Sequence, residues 1–488
     1  MNRWRTLISN RLRALAIVCT LASMLAACGD SSTEIDSGAN GPVPPLSAEG
    51  RWLTDATGRV VMLHGFNEVA KSPPFYPAAF DFGEDDAAFL AAEGFNGIRL
   101  GIDFRGLMPE PGVVDDGYVE NLASTVDVLA RHAIFVLLDF HQDGFAPMYN
   151  GNGLPDWMAI DDGLPNPPDA VFPLYYIQNP AMQRAFENFW ANRQGPGGIG
   201  LQDYFVQGIE KVVARFAGNP WVLGYEPINE PWSGAEWRPC TEGPVGCPDL
   251  EQSTLAPFYR RVGDAIREIT SEQLIFVEPF VLFNFGQAPT TMPGTDPRVA
   301  LSFHSYAIDS AGEESVLELG IAAAERDGAP VLVTEFGATL DSGTLDRIAG
   351  QMESQLLPWL EWAYNESVIA DTNEPAGPDN LRSREAFDAL VRPYPTAIAG
   401  TPTRIAFDLA TKAFDLTYDA VTPSGAALAG DRVTVVSVPR RHYPQGYEIT
   451  TEGARVTSPP CAEVLTLANE PSAASISLHI APAAAGCG

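Results

Sequence analysis

Positive charge is what this sequence has least of. Lysine occurs only as Lys71, Lys211 and Lys412, and 30 lysines and arginines stand against 62 acids, a formal net charge of −32. So acidic a chain repels phosphate, which argues against nucleic acid as a partner and against electrostatic docking on anionic lipid. Neutral sugars are compatible with it. Cysteine is also scarce, six in 488 residues, and no CxxC spacing exists to hold a structural zinc. The sequence contains no GxSxG elbow, no HExxH and no P-loop. Gly195, Gly197 and Gly200 match GxGxxG, but they follow a helical stretch and enclose Pro196, so they make no dinucleotide cradle. No metal and no cofactor are expected. No transmembrane span is apparent. A hydrophobic content of 45% with 19% charged residues is ordinary globular composition, enough for a sizeable core.

The N-terminus carries the arginines of an export signal, Arg3 to Arg13, followed by an apolar stretch from Leu15 to Leu25 that is short for a membrane span. Leu25-Ala26-Ala27-Cys28 resembles a bacterial lipobox, in which the thiol of Cys28 is acylated and becomes the new N-terminus. Residues 1–28 are therefore read as a lipoprotein signal peptide, and the protein as exported, either anchored at the cell surface or secreted. Residues 29–49, rich in Ser, Gly, Pro and Asn, read as a flexible tether. Four further cysteines, Cys240, Cys247, Cys461 and Cys487, suggest two disulfides in an exported protein. The local pairing Cys240–Cys247 and Cys461–Cys487 is the simplest of three.

From residue 60 onward, short apolar runs alternate with helical periodicity. The runs are 60–66, 97–102, 134–140, 222–225, 274–277, 299–303 and 331–334, with an eighth near 359–363. Such runs suit strands buried on both faces of a parallel sheet. Helical stretches such as 118–132, 201–216 and 256–270 lie between them, and the alternation predicts a (β/α)8 TIM barrel over residues 50–392. After Arg392 the helical periodicity fades. Short alternating runs among Pro, Gly and Ser predict an antiparallel β-sandwich over 393–488. A monomer is expected.

Two carboxylates stand at strand ends. Asn229-Glu230-Pro231 closes the predicted fourth strand, and Val331-Leu332-Val333-Thr334-Glu335 closes the seventh. They are 105 residues apart, three strand-helix units of about 35 residues, which sets them facing each other across a barrel mouth. Hydrolysis of a glycoside with retention needs such a pair, one carboxyl as acid/base and one as nucleophile, about 5–5.5 Å apart. Asn-Glu-Pro resembles the acid/base signature of retaining glycosidases on TIM barrels. With Arg99, His141, Asn229, His304, Tyr306 and Trp362 following in order, the chain resembles glycoside hydrolase family 5. That resemblance implies Glu230 as acid/base and Glu335 as nucleophile, with Arg99 and His304 orienting the nucleophile and Tyr306 beside it.

Further motifs resemble the endoglycoceramidase subgroup. They are Leu63-His64-Gly65-Phe66-Asn67 with Lys71, Asp139-Phe140-His141-Gln142-Asp143, and Leu390-Val391-Arg392-Pro393-Tyr394-Pro395 at the domain junction. The subgroup cleaves the bond between the glycan and the ceramide of glycosphingolipids. It implies Lys71, His141, Asp143, Asn229, Tyr306 and Trp362 as sugar-binding residues. The aromatic stretches 73–77, 145–149 and 172–176 are candidates for a lipid groove. Glu226-Pro227 and Leu360-Glu361-Trp362 depart from the subgroup's pattern. The competing readings are a β-glucanase, β-mannanase or other β-glycosidase, and a non-catalytic surface lipoprotein that binds glycolipid.

Overall fold

The computed structural model describes residues 41–484 except 242–246, 287–295, 297, 308, 366–368 and 429–431. Cys28, the signal segment and Cys487 lie outside the described residues. Nineteen strands are numbered here in chain order. Three precede the barrel: β1 (Ser47–Glu49), β2 (Trp52–Thr54) and β3 (Val60–Val61). Eight follow as β4 (His64–Glu68), β5 (Gly97–Ile102), β6 (Phe135–Phe140), β7 (Val222–Glu226), β8 (Leu274–Val277), β9 (Val299–Ser305), β10 (Val331–Phe336) and β11 (Trp359–Glu361). These eight close into one barrel, and every pairing among them is parallel.

Side chains alternate along the barrel strands, as the twofold period of a strand requires, except where the register slips at β7 and β10. Ile98, Leu100, Val136, Leu138 and Tyr225 pack outward with the helices. The inward positions sort by height. Phe135, Leu137, Leu223, Leu274, Phe276, Leu332 and Leu360 fill the lower barrel with apolar bulk. Above them, toward the strand C-termini, stand Arg99, Asp139, Glu226 and Glu335, all buried. Gly65 on β4 lets the backbones approach there: a Cβ would meet the Gly97 carbonyl oxygen at 1.7 Å.

The C-terminal strands are β12 (Tyr394–Ile398), β13 (Thr401–Asp408), β14 (Ala413–Asp419), β15 (Val433–Ser437), β16 (Tyr447–Glu452), β17 (Ala454–Val456), β18 (Val464–Asn469) and β19 (Ser475–Pro482). They form two antiparallel sheets over a shared core that includes Ile398, Phe414, Leu416, Val436, Leu467 and Ile480. The expected barrel-plus-sandwich architecture is present, with two corrections. The apolar run 60–66 is not one strand. Val60–Val61 pairs with β12 in the sandwich, and only His64 onward enters the barrel. The tether does not extend to residue 49 either. Leu46 is buried and Ser47–Glu49 pairs with β2, so the folded body includes part of that segment. The reason is the floor of the barrel: Leu46, Leu53 and Val61 pack into the same apolar cluster as the lower barrel layer and cover it.

Candidate active site

Arg99 organises the barrel mouth. It is fully buried, and its guanidinium donates to Glu226 Oε2 at 2.5 Å, Glu335 Oε1 at 2.5 Å, Asn229 Oδ1 at 2.6 Å and Asn67 Oδ1 at 2.9 Å. Glu278 Oε1 and Asp139 Oδ1 lie 3.3 Å and 3.2 Å from it. A planar, permanently charged fork suits this task, because it meets several oxygens at once. The strand register sets the partners, with Asn67 opposite Arg99 and Asp139 opposite Glu226. Between β9 and β10 the register slips around Thr334, so that Val333 faces Phe303 and Glu335 faces His304. A local irregularity of this kind re-aims a side chain.

Glu230 and Glu335 meet at His304. The imidazole Nδ1 is 2.8 Å from Glu230 Oε1 and 3.4 Å from Glu335 Oε2, and these three ligand atoms lie within 4.8 Å of one another. Such a group is close enough to hold a cation. Two carboxyls whose oxygens come this close suit the short separation of a retaining pair. Tyr306 donates its hydroxyl to Glu335 Oε2 at 3.0 Å, and Asn284 Nδ2 donates to Glu230 Oε1 at 2.8 Å. Burial pushes the Glu335 carboxyl up, while His304 and Arg99 pull it back toward the ionised form. Burial works against a charged His304, but Glu278 and Glu335 outweigh it and raise the imidazole well above its ordinary value. Glu361 is different. Both of its buried oxygens lack a hydrogen-bond partner, and burial together with the Glu335 charge raises it well above the carboxylate range.

A second polar group lies beside the first. Lys71 Nζ is 2.8 Å from Asp143 Oδ2 and 4.3 Å from the centre of the Trp362 ring. His141 stacks on Trp362 at 5.2 Å and bonds Asp139 through Nδ1 at 2.8 Å. The indole thus has a cation on it and an imidazole stacked against it. Burial opposes the charge on Asp143, yet Lys71 and His141 hold it well below its ordinary value.

The cavity over these groups measures about 650 Å³. Of the residues expected from sequence, Lys71, Asp143, Glu230, Tyr306, Glu335 and Trp362 line it. Arg99, His141, Asn229 and His304 lie behind that lining, each at most 3% exposed. His304 was expected to orient the nucleophile; its nearer partner is Glu230. Of the three aromatic stretches, only 172–176 lines the cavity, while Phe145 and Tyr149 are fully buried and pack their own loop. With Ile177, Val281, Leu282 and Phe285, the stretch makes an apolar wall. Cys240 and Cys247 are joined, as expected, in the loop after β7. Cys461 is disulfide-bonded as well.

Sequence reading missed Glu278, Asn284 and the role of Glu226 as a counter-ion. Glu278 follows an apolar strand as Glu230 and Glu335 do, which was the available signal. Glu226 was seen only as a departure from pattern; it is a counter-ion of Arg99.

Residues 54–368 match the family described as Cellulase (glycosyl hydrolase family 5), and residues 392–480 match its C-terminal domain. The chain is similar to endoglycoceramidase I of Rhodococcus hoagii, at 31% identity over 87% of this chain and 86% of that one. It is similar to an endoglycoceramidase of Hydra vulgaris, at 30% identity over 85% and 84%. Among solved structures it resembles endo-glycoceramidase II of Rhodococcus sp. in a ganglioside GM3 complex, with TM-score 0.73, 26% identity, and coverage of 89% of this chain and 99% of that one. The lactosyl-enzyme intermediate of the same enzyme gives TM-score 0.72 at 27% identity, covering 89% and 100%.

Proposed function

The chain belongs to glycosyl hydrolase family 5, and from that membership we propose that it hydrolyses, with retention, the β-glycosidic bond between the glycan and the ceramide of glycosphingolipids. The observation that carries the substrate is the mixed lining of the cavity. The paired carboxylates share it with Lys71, Asp143 and Trp362 and with an apolar wall of Phe172, Leu174, Ile177, Leu282 and Phe285. Phe172 is 62% exposed and Phe285 52%, so apolar surface at the mouth stands open to an alkyl partner. A relative of like fold was crystallised with ganglioside GM3, which supports the same assignment.

In this reading Glu335 attacks the anomeric carbon as Glu230 gives its proton to the departing ceramide oxygen, leaving a glycosyl-enzyme ester. Glu230 then takes a proton from water, and the oxygen of that water displaces Glu335. Arg99 and Tyr306 hold Glu335 in place. Lys71, Asp143 and Trp362 bind the sugar next to the scissile bond, with His141 and Asn229 fixing them or the sugar from behind. No cofactor or metal takes part. The protein is exported, either anchored at the cell surface through lipid on Cys28 or secreted, a reading supported by the lipobox-like sequence.

The test is hydrolysis of a lactosylceramide with a fluorescent acyl chain by the full chain and its Glu335→Gln variant. Release of ceramide by the first and not the second is expected. Cleavage of aryl glycosides or polysaccharides with the glycolipid untouched would discard the substrate and keep the hydrolase.

A further inference from the structure

The acid/base residue is held from behind by a carboxyl that the two-carboxylate mechanism does not use. Glu278 directly follows β8 and is 3% exposed. Its Oε2 accepts the backbone N–H of Glu230 at 2.8 Å. Its Oε1 lies 3.1 Å from His304 Nε2 and 3.3 Å from the Arg99 guanidinium. The backbone of Glu230 has φ 42°, a left-handed conformation unusual for a residue with a side chain. Such a conformation costs about 1–3 kcal/mol and persists where its surroundings fix it. Here the N–H is fixed by Glu278 and the C=O accepts from Gln142 Nε2 at 3.0 Å. The side chain of Glu230 meets the other ring nitrogen of the same His304. Glu278 therefore reaches Glu230 twice, once directly at the backbone and once through the imidazole.

We infer that Glu278 is a positioning residue for proton transfer by Glu230, acting through the Glu230 amide and through His304. The inference rests on Glu230 being the acid/base. When Glu230 has given its proton to the leaving oxygen, its carboxylate needs a donor. His304 supplies one from Nδ1, and stays charged because Nε2 faces Glu278. The proton on the imidazole does not leave it, and no further reactant is needed. The other groups facing this unit are Arg99 on β5, Asp139 on β6, Glu226 on β7, Tyr259 on the helix Ala256–Ile269, Tyr306 after β9 and Glu335 on β10. Burial pushes Glu278 up to about 8, partly offset by His304.

The test compares the full chain with its Glu278→Gln variant on two lactosides over pH 4–9. One carries 2,4-dinitrophenolate, a leaving group that needs no proton; the other carries a simple alkoxide, which does. The variant is expected to lose at least tenfold more kcat/KM on the alkyl lactoside than on the dinitrophenyl one. The alkaline limb of its kcat/KM profile on the alkyl lactoside is expected to move to lower pH, since the imidazole, less firmly charged, loses its proton sooner. Equal losses on both substrates, or none, would overturn the inference. If Glu278→Gln does not fold, Glu278→Asp is measured in the same way. A wild-type chain inactive on both lactosides would overturn the glycosidase reading itself, a result distinguishable from the others.

Discussion

Arg99 is one cation against four buried carboxyls, and its neighbours decide which of them ionise. Two histidines and Lys71 supply further positive charge, His304 beside Glu230 and Glu335, His141 beside Asp139 and Asp143, and Lys71 on Asp143. Removing the acid without changing its shape, by Glu230→Gln, is expected to cost about 10²–10⁴-fold in kcat/KM on an alkyl lactoside, and far less on the dinitrophenyl lactoside. Steady-state kinetics on the two substrates check this. Burial alone would lower His141, but Asp139 and Asp143 outweigh it and raise the ring to about 9. A raised pKa stabilises the fold fully below the unfolded value near 6.5 and loses that contribution as pH climbs toward 9. Thermal melts should therefore fall across about pH 6.5–9, and fall less steeply in His141→Gln. At this scale the site was largely legible, because the reacting carboxyls and their neighbours stand at strand ends in a recognisable order. What was not legible was which oxygen each side chain faces. The register slip at Thr334 sets Glu335 opposite His304, and no spacing in the sequence carries that slip.

Among the elements, the helix Tyr175–Gln178 and the turn before it decide whether the cavity has an apolar end. Phe172 and Leu174 are exposed there, with no burial of their own to explain them. Phe172→Asp is expected to raise KM for fluorescent lactosylceramide in mixed micelles about tenfold. The same variant should leave kcat/KM on dinitrophenyl lactoside within about twofold. The short strand β1 is the element least visible in sequence, since its three residues sit at the end of a polar, flexible-looking stretch. Leu46 beside it gives no periodicity to read, yet it packs under the barrel with Leu53, Phe135 and Leu332. Leu46→Ala should cost about 2–5 kcal/mol in urea unfolding, as for other buried leucines. All eight barrel strands were legible from their apolar runs. The break inside 60–66 was not, because both halves are equally apolar and only the sandwich gives Val60–Val61 another partner.

The barrel and the sandwich are interlocked in the whole molecule. The first sheet of the sandwich takes β1, β2 and β3 from before the barrel and β12, β15, β18 and β17 from after it. Buried Arg392 at the junction binds Glu353 at 2.5 Å and donates to the Phe407 carbonyl at 3.0 Å. His64, the first barrel residue, lies between the rings of Trp359 and Tyr394 at 4.2 Å and 3.7 Å. A chain ending at residue 395 strips β12 from β3 and removes the rest of that sheet. It is expected to lack a cooperative thermal transition, whereas two independent domains would leave the barrel's melt intact. The same interlocking places the N-terminal hairpin on the floor of the barrel, away from the strand C-termini that carry Glu230 and Glu335.

The central claim is that Glu335 forms a covalent bond to the sugar while Glu230 moves the proton. The most direct measurement is peptide mapping by mass spectrometry after reaction with 2-deoxy-2-fluoro-lactosyl fluoride, a substrate whose intermediate turns over slowly. One fluorolactosyl group on the peptide carrying Glu335, absent in Glu335→Gln, is the predicted result. A label on another residue, or a reaction that releases the sugar with inverted configuration and labels nothing, would contradict it.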